Sequence, residues 1–385
     1  MAAGHAQAAN EGTSVNPEGP RNETATVYEE RAGEWRQKRE GSARSDRPAR
    51  LAAEVATRGL GLPILDAGCG PGWHSADLGP AVVAIDIAHA MLEMVGEYAP
   101  DAAAVLGDLA ALPFRAGSFA GAWASKSYVH VPRRHVPLAL ADLHRVTAAG
   151  GLVELVLFGG DEEYAPFRAD DFAGRRFSLW PEELLRCVIA GAGFAVDEWE
   201  VLPTRRGDPE YRIRCTRSRT LPDYVAPGMR LLVCGLNPSL HAADAGVGFA
   251  RPGNRFWPAA LAAGLVSVDR DPRHALGEHR LGMTDLVKRA TSDISELSPA
   301  EYQHGRERLE ALVDWMQPGA LCVVGLTGWR AAVDRQAQPG VQHAEFGGRP
   351  VYVMPNTSGA NAHTDLGGFI AHLRAAAELA DRARR

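Results

Sequence analysis

Short apolar runs that stop abruptly on polar turns recur along the chain and predict a succession of buried strands. The clearest is Leu231-Leu232-Val233-Cys234, which breaks at Gly235-Leu236-Asn237-Pro238. Four apolar residues closed by an Asn-Pro turn read as a strand emptying into a loop. Val351 to Met354 is a second such run, opening onto Pro355-Asn356-Thr357-Ser358-Gly359. In the first half, Ile64-Leu65 leads into Asp66-Ala67-Gly68-Cys69-Gly70-Pro71-Gly72, Val82 to Ile85 ends at Asp86, and Val105-Leu106 precedes Asp108. Ser118 to Ser125, Ala149 to Phe158, Phe194 to Val201 and Tyr211 to Thr216 add further strands. Elsewhere the spacing is helical. Tyr28, Ala32 and Trp35 share one face, a second helix covers Pro48 to Arg58, and another follows Trp73.

At the carboxyl edge of a parallel sheet, the polar side chain after a strand points into the ligand crevice. That rule singles out Asp66, Asp86, Asp108 and Asn237. The glycines at 68, 70 and 72 allow positive φ and close approach of the backbone to a ligand. A dinucleotide fingerprint would need a glycine where Trp73 stands, and a Walker loop would need a Gly-Lys-Ser/Thr ending. Neither is present. An acid at the tip of the second strand can hold a ribose diol through charge-assisted hydrogen bonds.

With acids at three ordered strand ends, residues 28–217 resemble a class I S-adenosylmethionine-dependent methyltransferase. The resemblance implies a Rossmann-like fold ending in an antiparallel strand pair. It implies S-adenosylmethionine as cofactor, with Asp66, Gly68 and Gly70 at the methionine end, Asp86 on the ribose and Asp108 at the adenine amine. Methyl transfer displaces an already activated sulfonium, so positioning can suffice. The acceptor stays unnamed. The Asn/Asp-Pro-Pro-Tyr/Phe motif of DNA amino-methylating enzymes is replaced by Ala124-Ser125-Lys126-Ser127-Tyr128-Val129-His130, and there is no Pro-Cys nucleophile. Tyr128 and His130 are the candidates to face the sulfonium.

The second half carries four further motifs: GLNPS (235–239), GFARPGNRFW (248–257), GMTDLVKRAT (282–291) and MPNTSGAN (354–361). In this order they resemble the mismatch-specific uracil/thymine DNA glycosylases of the uracil-DNA glycosylase superfamily. The resemblance implies a three-layer α/β/α fold and hydrolysis of the N-glycosidic bond of mispaired uracil, thymine or a modified pyrimidine in double-stranded DNA, without a metal. Asn237, an amide without useful basicity, would orient the attacking water by accepting its hydrogen. Phe249 would stack on the extruded base, with Asn356 and Ser358 beside it. The loop tip Gly359-Ala360-Asn361 would enter the duplex. Two positions depart from the family: Ala360 stands where relatives carry Leu or Arg as the wedge, and Asn356 where the uracil enzymes carry a histidine. Arg251, Arg255 and Arg349 are candidate phosphate contacts. A second reading makes this half a catalytically weak binding module that delivers the methyltransferase to nucleic acid.

Composition fits this division. A chain of 385 residues suits two domains, and 46% hydrophobic residues exclude wholesale disorder. Residues 226–385 carry 17 basic and 16 acidic side chains against 24 and 31 in the remainder, so the net charge of −6 belongs to the first half. A nucleic-acid surface is therefore permitted in the second half. Five cysteines (69, 187, 215, 234 and 322) form neither a CxxC pair nor a zinc pattern, as expected of thiols in a reducing cytoplasm. No apolar run approaches a membrane span, the N-terminus lacks a secretory pattern, and a monomer is expected. The predicted divisions are a disordered tail (1–24), a methyltransferase domain (25–217), a linker (218–225) and a glycosylase-like domain (226–385).

Overall fold

The computed structural model describes residues 21–41, 45–168, 170–204 and 207–384. Most of the expected N-terminal tail lies outside this range. Its last residues do not: Arg21 to Thr24 begin helix α1 (Arg21–Glu30), where Thr24 is buried and accepts from the backbone N–H of Arg176 at 3.0 Å.

Seven strands form the first sheet: β1 (Ile64–Ala67), β2 (Val82–Asp86), β3 (Ala103–Leu106), β4 (Phe119–Ser125), β5 (Thr147–Phe158), β6 (Phe194–Pro203) and β7 (Pro209–Arg217). Their order is β3-β2-β1-β4-β5-β7-β6, with β5 to β7 and β7 to β6 antiparallel and the other pairings parallel. Helices α2 (Ala32–Arg39) and α3 (Arg47–Thr57) precede the sheet, while α4 (His89–Leu92), α5 (Val95–Tyr98), α6 (Val136–Val146) and α7 (Glu182–Gly191) lie between strands. The order reverses direction at β1 and β4, so the crevice of this Rossmann-like sheet opens beyond the ends of those strands. The helix expected after Trp73 is only a 3₁₀ turn, Ser75–Leu78.

The second sheet contains β8 (Leu231–Gly235), β9 (Leu281–Asp285), β10 (Ala320–Val324), β11 (Gly340–Val341) and β12 (Val351–Met354), in the order β11-β12-β10-β8-β9. All pairings are parallel except that of the two-residue edge strand β11. Alternation along β8 feeds two cores. Leu231 and Val233 pack with Phe256, Trp257 and Phe369, whereas Leu232 and Cys234 pack with Leu309, Leu312 and Trp329. Helices α8 (Leu240–Ala245), α9 (Phe256–Ala263), α10 (Pro272–His279), α11 (Pro299–Met316), α12 (Leu326–Ala332) and α13 (Leu366–Arg382) complete the three layers. A parallel sheet must be covered on both faces, which is why its strands read as unbroken apolar runs.

The segment 218–225 is packed rather than free. Thr220, Leu221, Asp223 and Val225 are buried. Asp223 accepts from Thr284 Oγ1 (2.6 Å), Arg308 (2.7 Å) and Lys288 (2.8 Å), and its own N–H donates to Gly191 O at 2.8 Å. This buried ion cluster ties the junction to both domains, and its cations hold the Asp223 carboxyl below the usual range against the opposing effect of burial.

Candidate active sites

In the first domain, a cavity of about 940 Å³ opens at the carboxyl edge of β1, β2 and β4. Gly68 turns the chain back at φ +75°, and a Cβ there would lie 2.3 Å from Ser127 Cβ, so only glycine fits. Gly70 donates to Asp86 Oδ2 at 2.8 Å, and Ala88 donates to Oδ1 at 3.0 Å. Each carboxylate oxygen keeps acceptor capacity towards the cavity, which Gly68, Gly70, Asp86 and Asp108 all line. Asp66 differs from expectation. It is buried, is not among the cavity-lining residues, and accepts from Ser75 Oγ at 2.6 Å, so it braces the turn from behind. Burial pushes its carboxyl up to about 7. Trp73, at the position that lacks a third glycine, stacks on Trp35 at 5.0 Å and brings α2 over the site. The two acceptor-side candidates separate: His130 lines the cavity, whereas Tyr128 is fully buried and does not.

In the second domain, Asn237 follows β8, Asp285 ends β9, Gly325 follows β10 and Asn356 follows β12. All four therefore stand at one edge of the sheet, with β10 between Asn237 and Asn356, a lateral offset of roughly 10 Å. The Asn237 side-chain amide donates to Thr291 Oγ1 (2.8 Å) and to Arg289 O (3.0 Å). Its Oδ1 has no partner among the described residues and remains an acceptor. Thr291 and Arg289 belong to GMTDLVKRAT, whose part in the site is thus to fix the rotation of that amide.

Phe249 adopts φ +58° and stacks on Phe256 with ring centroids 4.4 Å apart. Its ring edge lies near Gly235, where an added Cβ would sit 3.4 Å from Phe249 Cζ and 2.4 Å from Asp285 Oδ1. Phe249 and Asp285 also line a cavity of about 20 Å³ with Tyr224 and Pro272. Asp285 is a residue that the sequence reading passed over. It is nine-tenths buried, and its carboxyl has no hydrogen-bond partner among the described residues. Burial pushes that carboxyl up to about 6, against the attraction of Lys288 and Arg308. The available signal was its place at the end of an apolar strand, in register with Gly235.

The loop after β12 is self-bonded. Asn356 Oδ1 accepts from Ser358 N at 2.8 Å, Asn361 Nδ2 donates to Asn356 O at 2.7 Å, and Ser358 Oγ accepts from Ala360 N at 3.2 Å. Gly359 and Ala360 are exposed at its tip while Thr357 is buried as its anchor. Two of the three candidate phosphate arginines are occupied elsewhere. Arg255 donates to the carbonyls of Thr364 (2.8 Å), Ser358 (3.1 Å) and Asn361 and covers the Phe369 ring. Arg349 donates to Gly319 O at 3.0 Å, at the opposite end of the sheet. Arg251 is exposed on the loop before α9. Among the described residues, no cluster of metal-ligating side chains occurs.

Two family models match the chain in tandem. Residues 64–151 match the methyltransferase domain, and residues 222–379 match the uracil DNA glycosylase superfamily. Similar solved structures include a SAM-dependent methyltransferase from Methanosarcina mazei, 22% identical, covering 40% of this chain and 92% of that one, with a TM-score of 0.37. Another is 1,6-didemethyltoxoflavin-N1-methyltransferase from Burkholderia thailandensis, 18% identical, covering 54% and 93%, with a TM-score of 0.39. A third is magnesium protoporphyrin IX methyltransferase from Synechocystis PCC 6803, 18% identical, covering 54% and 100%, with a TM-score of 0.39. The chain thus joins a methyltransferase domain to a domain of the uracil DNA glycosylase superfamily.

Proposed function

We propose that the second domain of this methyltransferase–glycosylase tandem hydrolyses the N-glycosidic bond of mispaired uracil or a modified pyrimidine in double-stranded DNA. The observation that carries this reading is the tethered Asn237 amide. With its NH₂ held by Thr291 and Arg289, Oδ1 can accept from a water and aim it at the anomeric carbon. Departure of the base leaves negative charge on the pyrimidine, to be met by donors preorganised at the site. Phe249 supplies a stacking face, and the exposed tip at Gly359 and Ala360 supplies a small plug for the space left in the duplex. Extrusion costs least at a mismatch, which favours G·U over a paired base. Arg251, exposed on the loop before α9, would meet a phosphate.

The first domain, on this proposal, binds S-adenosylmethionine and methylates an acceptor. The residues fit that cofactor: Asp86 with spare acceptor capacity, a second acid, Asp108, and a glycine turn face one cavity. When bound, the cofactor supplies an activated methyl group. Asp86 would accept the ribose hydroxyls, Asp108 the adenine amine, and Gly68 and Gly70 would admit the methionine end.

The test is single-turnover incubation of the full chain with G·U, G·T and single-stranded uracil oligonucleotides, followed by alkaline cleavage of abasic sites. Release from G·U, lost in Asn237→Ala, is expected. Full activity in Asn237→Ala would refute the assigned mechanism. The small cavity beside Phe249, with room for about one water, favours the second reading, a binding module; tight duplex binding without release would establish it.

A further inference from the structure

The cavity of the first domain includes a chamber walled in part by aromatic rings. Phe158 closes β5, and Phe167 and Phe177 come from the segment before α7. Ring centroids lie 4.9 Å apart for Phe158–Phe167, 5.3 Å for Phe167–Phe177 and 6.3 Å for Phe158–Phe177. All three rings line the cavity. Tyr28 and His130 face the same space. His130 Nδ1 lies 2.7 Å from Arg176 O, which fixes the proton there and leaves Nε2 to accept from Tyr28 Oη at 2.9 Å. Burial pushes the imidazole down to about 4, so the ring is neutral at physiological pH.

Every lysine and arginine lining this cavity already has a carboxylate. Lys126 and Arg212 meet Glu210 at 2.7 Å each, and Arg175 meets Asp170. Arg39 meets Asp171, while Arg47 meets Glu154 at 2.5 Å and Glu200 at 2.7 Å. Of the lining acids, Asp170, Asp171 and Glu210 are paired in turn, and Asp86 and Asp108 stand at the proposed nucleoside end, so neither a spare cation nor a spare anion is left for an acceptor. A nucleic-acid acceptor brings phosphates alongside its target base and is held mainly by cations that neutralise them. A lysine or arginine acceptor would need a free acid. An uncharged planar ring needs what the chamber has, an apolar aromatic wall to pack against.

From this we infer that the methyl acceptor is a small, uncharged aromatic molecule carrying a hydroxyl or ring N–H, held against the wall that Phe158, Phe167 and Phe177 form. The inference rests on the first domain using S-adenosylmethionine. In the transfer, the acceptor oxygen or nitrogen bonds the methyl carbon as the C–S bond breaks, and sulfur keeps that electron pair as a neutral thioether. The acceptor's proton passes to Tyr28 Oη while the phenol's own proton moves to His130 Nε2, from which it is lost to solvent. The tandem would then join two activities on different substrates, rather than one nucleic-acid modification served by both domains.

Fluorescence titration of the full chain with 2-naphthol, with and without S-adenosylhomocysteine, tests this. Saturable binding is expected, weakened about tenfold in Phe167→Ala, the size of one aromatic contact. S-adenosylhomocysteine affinity should stay within twofold. Phe167→Leu keeps the bulk without the ring and should weaken 2-naphthol in the same direction, which guards against a folding defect in the alanine variant. Displacement of 2-naphthol by a twelve-nucleotide single strand, or equal binding by both Phe167 variants and the parent, would overturn the inference. Absence of S-adenosylhomocysteine binding would instead sink the cofactor reading, while the titration without it still decides the character of the chamber.

Discussion

Replacing Asp285 by asparagine should stabilise the protein at neutral pH and hardly at all in acid. The Asp285 carboxyl is buried at the end of β9 beside Gly235, and its proton is held up to about 6 instead of the ordinary 3.8. A raised folded-state value means that the folded protein holds this proton more tightly than the unfolded chain. Stability is therefore fully present below pH 4, is lost as pH rises towards 6, and stays at the lower level above it. Linkage puts the loss at roughly 3 kcal/mol. Asparagine keeps the shape and removes the titration. The variant should match the parent near pH 4 and melt higher at pH 7.5, by on the order of 6–12 °C for a domain of this size.

The same group bears on the proposed chemistry. Above pH 6 its carboxylate would oppose charge developing on a departing base; below, the neutral acid can donate to it. Single-turnover release from G·U should therefore rise as pH falls from 7.5 to 5.5, by about tenfold if some 1.4 kcal/mol of repulsion is relieved. Asp285→Asn should flatten the profile. A constant difference in melting temperature between variant and parent at pH 4.5 and 7.5 would refute the assignment of the buried titration. A pH-dependent difference in melting with an unchanged rate profile would leave the titration standing and remove Asp285 from the reaction.

Breaking the buried cluster at the domain junction with Arg308→Met leaves Asp223 short of its 2.7 Å partner and should cost about 3–5 kcal/mol in denaturant unfolding. Gly68→Ala places a Cβ 2.3 Å from Ser127 Cβ and should abolish S-adenosylhomocysteine binding by calorimetry while leaving release from G·U intact. Arg255→Ala frees the carbonyls of Ser358, Asn361 and Thr364; duplex affinity should fall with little change in its salt dependence, because this arginine shapes the loop rather than meeting phosphate. Arg273 reaches from α10 to Asp142 Oδ1 at 2.8 Å and to Ala110 O at 3.4 Å. Arg273→Ala should therefore weaken S-adenosylhomocysteine binding several-fold, through the loop that bears Asp108.

What the sequence determined by itself was nine of the twelve strands among the described residues, β9, β10 and β11 being the exceptions, and the turns that end them. Apolar runs such as Leu231 to Cys234 must be buried on both faces, and a glycine or Asn-Pro turn can only stand where they stop. The α/β character of both halves, the positions of Asp86, Asp108 and Asn237, and the tandem order were legible for that reason. The sequence could not say which polar side chains find partners across the chain. Arg255 looked like a phosphate ligand and binds three carbonyls. Asp66 looked like a cofactor contact and bonds Ser75 behind the turn. Asp285 looked like one letter of a motif and is a buried carboxyl beside Phe249. Strand formation follows from local pattern, whereas desolvation and partnership depend on residues tens or hundreds of positions away, as Tyr28, His130 and Arg175 do when they meet. The tertiary structure alone decided those, because the cost of burying a polar group is set by what the fold brings against it.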